Sequence, residues 1–99
     1  MENIETIVEQ LTKDLDIDFV QDVDNTFHGM KQIGTFKLEI VLSQDDADYI
    51  DIQLRLVGKT NKFSSYTFTR SNYSEVLGGL NNVISNANAL VNSIENFTN

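Results

Sequence analysis

The chain has 99 residues, no cysteine and a formal net charge of −8 at pH 7. This length allows a single domain with one core, residues 1–99, and the absence of cysteine excludes disulfides and thiolate metal sites. The negative charge disfavours direct binding to nucleic acid or to an anionic membrane, because both carry charge of the same sign. The chain shows neither a signal-peptide pattern nor the roughly 20 apolar residues of a membrane span, so we expect a cytoplasmic protein.

An amphipathic helix is predicted over about residues 2–13. Its apolar residues recur at the spacing of one helix face, and they are Ile4, Ile7, Val8, Leu11 and Leu15. Glu2 and Glu5 lie off this face in the first turn, where negative charge complements the helix dipole.

The apolar period then changes from helical to alternating. Leu15, Ile17 and Phe19 alternate with three aspartates, a pattern typical of a half-buried strand over residues 15–20. Residues 22–29 are interpreted as a loop.

Three further strands are predicted over about residues 33–43, 49–58 and 64–70. In the first two, apolar side chains mostly alternate with polar or charged ones. In the third, Tyr66 and Phe68 fall on one face. The connecting segments are short and polar, so an antiparallel meander is the simplest pairing.

The last predicted element is a long helix over residues 73–97. Asn72 and Glu75 have the spacing of a capping box, in which each side chain accepts a hydrogen bond from the other residue's backbone N–H. An apolar stripe follows at alternating steps of four and three residues, and it comprises Tyr73, Leu77, Leu80, Ile84, Ala87, Val91 and Ile94. Such a helix would be about 37 Å long, more than a short four-stranded sheet needs for cover.

The element order is helix, three or four strands, long helix (α-β-β-β-β-α), which predicts a two-layer α+β sandwich. A sheet with one apolar face needs a covering layer, and two helices on that face provide it. The other face of the sheet is expected to be exposed to water.

Two acidic segments form the candidate partner-binding surface, residues 14–24 and 45–51. Their aspartates are Asp14, Asp16, Asp18, Asp22, Asp24, Asp45, Asp46, Asp48 and Asp51. Alternate residues of a strand project from one face about 6.6–6.8 Å apart. Aspartates so spaced in 14–18 would imitate a row of phosphates in the basic groove of a nucleic-acid-handling protein. The alternative is a solvated face that keeps the protein soluble.

The spacing of Asp14, Asp16 and Asp18 is also that of the first ligands in a calcium loop. Counting from Asp14, position 6 is Phe19 and position 12 is Asn25, whereas an EF-hand loop needs Gly and Glu there. We therefore expect no metal site, and no other cofactor.

The long helix has no charged residue from position 76 to position 94. Solvent-facing helices usually carry Lys and Glu, so this small, amide-bearing face favours the close approach of a partner, most simply a second copy. In such a homodimer the apolar stripe is the seam. The alternative is an ordinary helix whose stripe faces the core.

Catalysis is not expected. His28 is the one histidine, no cysteine is present, and no nucleophile-elbow motif occurs. Gly58-Lys59-Thr60 has the last residues of a phosphate-binding loop but lacks the glycine five residues earlier.

The expected function is that of a non-enzymatic inhibitor that engages a basic, nucleic-acid-handling protein through its acidic surface. In size, acidity and asparagine content the chain resembles inhibitors encoded by phages and mobile elements, including anti-CRISPR proteins, although no motif carries this resemblance. Two alternatives stay open. One is a homo-oligomeric assembly, chaperone or structural protein that uses the last helix, and the other is an immunity protein that neutralises a basic toxin.

Overall fold

The computed structural model describes residues 3–98 and shows a two-layer α+β sandwich. The elements are α1 (Ile4–Leu15), β1 (Phe19–Val23), β2 (Thr26–Ile33), β3 (Phe36–Asp46), β4 (Tyr49–Val57), β5 (Lys62–Arg70) and α2 (Tyr73–Thr98). The strands form one antiparallel sheet in the order β1-β2-β3-β4-β5, so each pairs with its neighbours in sequence. The α+β class and the meander are confirmed, and the sheet has five strands instead of three or four.

Helix α1 begins at a side-chain cap and ends two residues later than predicted. The Asn3 carboxamide oxygen accepts a hydrogen bond from the backbone N–H of Thr6 at 2.9 Å, which satisfies one of the unpaired first-turn donors. The helix ends at Leu15, and the following C-cap residue, Asp16, adopts a left-handed conformation (φ 54°, ψ 44°). The predicted helix start at residue 2 lies outside the described residues.

The predicted strand over residues 15–20 is wrong. Leu15 continues the apolar face of α1 and packs against the core, and Asp16 caps the helix. The first strand therefore begins only at Phe19, and it joins the sheet as an edge strand. Leu15 is the last residue of the helix, and Ile17, the next buried residue, lies two positions later. This two-residue spacing is the same as that of a half-buried strand, so the sequence pattern was mistaken for one.

The predicted loop over residues 22–29 is also wrong, because most of it belongs to the β1–β2 hairpin. Asn25 adopts a positive φ of 61° in its turn, as asparagine tolerates better than most residues. In β2 the buried Phe27 and Ile33 are separated by Gly29 and Lys31 on the same face. This interruption hides the apolar alternation of the strand.

A close contact explains the glycine in β2. Gly29 pairs with Phe19 across the β1–β2 ladder. A Cβ atom on Gly29 would lie 2.6 Å from Cε1 of Phe19, so the aromatic ring occupies the space that a side chain would need. This arrangement, an aromatic ring covering a strand glycine, is a known way to stabilise such a position.

The core lies between the sheet and the two helices. Its buried residues from strands β3 and β4 are Phe36, Leu38, Ile40, Leu42, Ile50, Ile52, Leu54 and Leu56. The helices contribute Ile4, Ile7, Val8, Leu11, Val76, Leu80, Ala87 and Val91. Both helices therefore cover the same face, as predicted.

Only half of the capping box at the start of α2 is formed. The Asn72 carboxamide oxygen accepts a hydrogen bond from the backbone N–H of Glu75 at 2.9 Å. The backbone N–H of Asn72 donates to the carbonyl oxygen of Arg70 instead of to the Glu75 side chain. The chain turns directly from β5 into the helix, and this turn uses the donor that the box would have needed.

Helix α2 is fastened to the sheet at both ends. Before its first turn, the buried Ser71 donates from Oγ to the carbonyl of Ala47 at 2.7 Å, next to the β3–β4 turn. Near its last turn, a carboxylate oxygen of Glu95 accepts from both N and Oγ1 of Thr35 at 2.8 Å, in the β2–β3 turn. An eleven-residue strand such as β3 is about 35 Å long, so the helix matches the sheet and does not exceed it. Neither helix, within the described residues, is long and apolar enough to cross a membrane.

Candidate functional site

The sheet face opposite the helices, here called the open face, carries the exposed side chains of all five strands. Cross-strand pairing places one residue of each strand in a row, and this row is Val20, His28, Val41, Gln53 and Tyr66. Two side chains of this row are large and strongly exposed, Val20 and Tyr66. Exposed apolar side chains on an uncovered sheet are the first place to look for a binding surface.

The middle of the open face forms a broad depression of about 900 Å³. Two of its titratable side chains, His28 and Arg55, lie close to a carboxylate. Nε2 of His28 lies 3.2 Å from a carboxylate oxygen of Asp22, and Nε of Arg55 lies 3.9 Å from a carboxylate oxygen of Glu39. Arg55 and Glu39 therefore balance each other's charge in the central depression.

Three carboxylates and three aromatic rings lie together at one end of the open face. They line a depression of about 420 Å³ and form what we call the acidic–aromatic patch, which consists of Asp45, Asp46, Tyr49, Asp51, Tyr66 and Phe68. The rings are well exposed, with relative accessibilities of 38% for Tyr49, 60% for Tyr66 and 58% for Phe68. Exposed aromatic side chains in this number are typical of protein interfaces.

A hydrogen bond joins the two kinds of side chain in the patch. Oη of Tyr66 donates to Oδ1 of Asp51 at 2.6 Å. This bond raises the pKa of Tyr66, and partial desolvation of the hydroxyl and the charges of Asp51 and Asp45 raise it further. The carboxylate of Asp51 is thereby held against the Tyr66 ring.

The neighbouring rings of the patch are arranged to receive a cation. Tyr49 and Phe68 meet edge to face, with ring centroids 5.6 Å apart and an interplanar angle of 86°. The Arg70 guanidinium lies 5.4 Å from the centroid of the Tyr49 ring. This distance is within the range of a cation–π interaction, so the patch already holds one basic side chain of the protein itself.

The nine aspartates predicted as one acidic surface are distributed over three parts of the molecule. Asp14 and Asp16 lie at the end of α1, in the helix layer, and Asp14 accepts a hydrogen bond from Oη of Tyr73. Asp18 lines the central depression, and Asp22 pairs with His28. The proposed row of phosphate-like carboxylates at positions 14, 16 and 18 is therefore not formed, because these residues do not share a strand.

The remaining aspartates gather at one end of the sheet. The β1–β2 turn, with Asp24, lies beside the end of β3, since the backbone N–H of Gln44 donates to the carbonyl of Asn25 at 3.0 Å. Asp48 lies in the β3–β4 turn, where its backbone N–H donates to the Asp46 carboxylate at 2.8 Å. The two acidic segments thus meet here, next to the acidic–aromatic patch.

The apolar stripe of α2 faces the sheet. Leu80, Ala87 and Val91 are buried, and the other four members, Tyr73, Leu77, Ile84 and Ile94, are partly buried against the core. Packing within one chain accounts for the stripe, so its role as an oligomer seam stays a prediction that would require the helix to leave the sheet.

Sequence reasoning did not assign Tyr66 and Phe68 to a site, and it placed Phe27 within a loop, whereas Phe27 is buried in β2. The signal for the two β5 rings was present, because they alternate with Ser and Thr on one side of a strand. What the sequence lacked was the register that sets Tyr66 opposite Gln53 and Phe68 opposite Asp51.

In the described part of the chain, no group of three or more His, Asp or Glu side chains is arranged to hold a metal ion. Comparison with known protein families, with curated protein sequences and with solved structures finds no match for this chain. The site must therefore be interpreted from its own chemistry.

Proposed function

We propose that the protein is a non-enzymatic binding module that engages a basic protein through the acidic–aromatic patch. The observation that carries this proposal is the joint presence of three carboxylates and three exposed rings in one depression. Charge alone would serve solubility, and rings alone would serve any apolar partner. Their combination suits the side chains of Lys and Arg.

The physical basis is a two-part contact. A guanidinium or ammonium group over an aromatic ring gains about 0.5–2 kcal/mol, more when it is desolvated. A carboxylate beside the ring adds a charge-assisted hydrogen bond. Within the chain itself, the Arg70 guanidinium lies over the Tyr49 ring in this geometry. The surrounding negative charge of the turns would also steer a basic partner towards this end of the sheet.

The class of partner is the finer part of the proposal. A basic surface is typical of proteins that handle nucleic acids, and an acidic module that occupies such a surface acts as an inhibitor. The net charge of −8 and the composition support an inhibitor of the kind encoded by phages and mobile elements. An immunity protein for a basic toxin would use the same chemistry at the same patch.

Two triple variants with equal charge test the patch against a labelled oligo-arginine peptide as the probe. The first neutralises Asp45, Asp46 and Asp51 to Asn, and the control changes Glu5 and Glu9 to Gln and Asp16 to Asn, all exposed in the helix layer. Each set raises the formal net charge by three, from −8 to −5.

We expect the patch variant to weaken binding about tenfold or more in a fluorescence anisotropy titration, and the control variant to weaken it less than about threefold. Both should keep the circular dichroism spectrum of the native protein. An equal loss in the two variants would mean that net charge binds the peptide, and the patch would lose its assignment.

A further inference from the structure

The two edges of the sheet differ in how well they are protected against pairing with another strand. Edge strand β1 has five residues, a break in its register between Gln21 and Val23, and a charged Asp22. Edge strand β5 has nine residues in unbroken register with β4. It lacks proline and acidic residues, and its charges lie only at its ends, Lys62 and Arg70. Short, bulged and charged edges resist strand addition, and long regular ones permit it.

The alternation of hydrogen-bonded and non-hydrogen-bonded pairs between β4 and β5 identifies the backbone groups of β5 that face outward. The backbone N–H of Gly58 donates to the carbonyl of Asn61, and that of Ser71 donates to the carbonyl of Asp48. These bonds mark hydrogen-bonded pairs at the two ends of the β4–β5 ladder, and such pairs alternate along an antiparallel ladder. The residues with backbone groups directed to β4 are therefore Phe63, Ser65, Thr67 and Thr69.

The intervening residues direct their backbone N–H and C=O groups away from the sheet. These are Lys62, Ser64, Tyr66 and Phe68. Among residues 3–98, β5 has no sheet neighbour other than β4, and no backbone bond from another segment reaches these four residues. A free row of donors and acceptors with two-residue spacing is the template for one more strand.

An apolar groove runs along the helix side of the same edge. It has a volume of about 280 Å³ and lies between β5 and α2, where its lining includes Leu54, Leu56, Phe63, Val83 and Leu90. Among the residues that the structure describes, no charged side chain lines it. Phe63 and Ser65 lie on the helix side of β5, and the small side chain of Ser65 leaves the sheet leucines accessible from the edge. A cavity of about 150 Å³ with an apolar lining can hold a benzene-sized group, so the groove is large enough for an apolar side chain.

We propose that β5 and this groove bind an extended segment of another protein by strand addition. The segment pairs antiparallel with β5 through the free backbone groups of Ser64, Tyr66 and Phe68. Its residue opposite Ser65 is apolar and enters the groove against α2, and acidic residues near its ends lie beside Lys62 and Arg70. Main-chain bonds supply affinity and the side-chain groove supplies specificity, as in other strand-addition sites.

A second copy of this chain fits the edge less well than a separate segment. In a full pairing of two β5 strands about Tyr66, Lys62 lies opposite Arg70 of the second copy, and like charges directly opposite destabilise a ladder. The residue opposite Ser65 is then Thr67, which places a polar side chain at the apolar groove. A shifted register would set the apolar Phe63 of the second copy opposite Ser65. In that register only residues 62–66 of each copy pair, so most of the ladder is lost. The charges and the groove together favour a segment with acidic ends and an apolar middle.

Tyr66 and Phe68 belong both to this site and to the acidic–aromatic patch, but this site uses their backbone groups and the patch uses their side chains. This site uses the outer edge of β5 and the helix side of the sheet, whereas the patch lies on the open face. The two proposals can therefore fail independently.

The test selects displayed random nine-residue peptides on the native protein and measures the affinity of the enriched peptides by fluorescence anisotropy. We expect them to carry an apolar residue in the middle and acidic residues near the ends. Ser65→Leu fills the groove from within and should weaken their binding about tenfold or more. Gln53→Leu places the same side chain on the open face, on β4 and away from the edge, and with it the change should stay below about threefold.

Amide hydrogen exchange checks the backbone part of the proposal. Bound peptide should slow the exchange of Ser64, Tyr66 and Phe68, whereas Ser65 and Thr67 should be protected already in the free protein. Failure to enrich peptides, equal binding to both leucine variants, or protection confined to β1 would overturn the proposal. A dimer seen by light scattering that Ser65→Leu converts to a monomer would also overturn it, in favour of a second copy as the occupant.

Discussion

The two faces of the sheet are built from the same strands but serve different purposes. On the covered face, Ile40, Leu42 and Ile52 have no measurable solvent exposure. On the open face, their neighbours Val41 and Gln53 contact solvent and share a row with residues of every other strand. Because successive strand residues point to opposite faces, stability and binding are controlled by adjacent positions. Substitutions on one face should therefore leave the other property almost unchanged.

The largest effect is expected from truncating the covered face. Leu42→Ala should lower the free energy of unfolding by about 2–5 kcal/mol, because it removes buried atoms and leaves a cavity. Val41→Ala, at the adjacent position on the open face, should lower it by less than about 1 kcal/mol, since Val41 is only partly buried. Urea unfolding followed by circular dichroism measures both. Similar losses in the two variants would mean that the open face is covered in solution.

A smaller effect should follow from adding one methyl group at Gly29. Its Cβ would lie 2.6 Å from the Phe19 ring, and displacing the ring should cost about 1–3 kcal/mol. Gly78→Ala is the matched control, because nothing lies within 4 Å of the added Cβ. In the interior of α2 that change should stabilise the protein by about 0.5–1 kcal/mol. Thermal or urea unfolding of the two variants should give shifts of opposite sign, and a neutral Gly29→Ala would show that the Phe19 ring moves freely.

The smallest effect concerns a titration on the open face. The hydrogen bond to Asp51 raises the pKa of Tyr66, so the neutral phenol is favoured in the folded protein. Its contribution to stability is present below the ordinary pKa of tyrosine and is lost as the pH rises through the folded-state pKa. Asp51→Asn should bring the pKa of Tyr66 down towards its ordinary value, and Asp45→Asn should lower it less. Ultraviolet difference titration measures these changes, and an unchanged curve in Asp51→Asn would show that the bond does not form in solution.

The sequence was sufficient for the elements whose apolar pattern is regular. Both helices and strands β3, β4 and β5 follow from their periods, because burial on one face requires those periods. The errors lie between residues 15 and 33, where the covered face includes Gly29 and Lys31. At Gly29 of β2 the apolar group is the ring of Phe19, which belongs to the neighbouring strand β1. The sequence of β2 alone therefore does not show the apolar alternation of a strand.

The candidate site was only partly predictable for a related reason. Asp45, Asp46 and Asp51 were named from local charge alone. These aspartates lie fifteen or more positions before Tyr66 and Phe68 in sequence. Their association with the two rings depends on the register of β4 against β5. Charge density along a chain identifies acidic segments, whereas cross-strand pairing decides which other side chains share their surface.

The meander described above also has a consequence for how the chain reaches its fold. Every strand pairs with the strand next to it in sequence, so the sheet can assemble one hairpin at a time with short loop closures, and such local contacts favour rapid folding. The chain also contains no proline, so prolyl isomerisation cannot add a slow step. The contacts between α1 and α2 join opposite ends of the sequence. We therefore expect them to form after the hairpins and to complete the core.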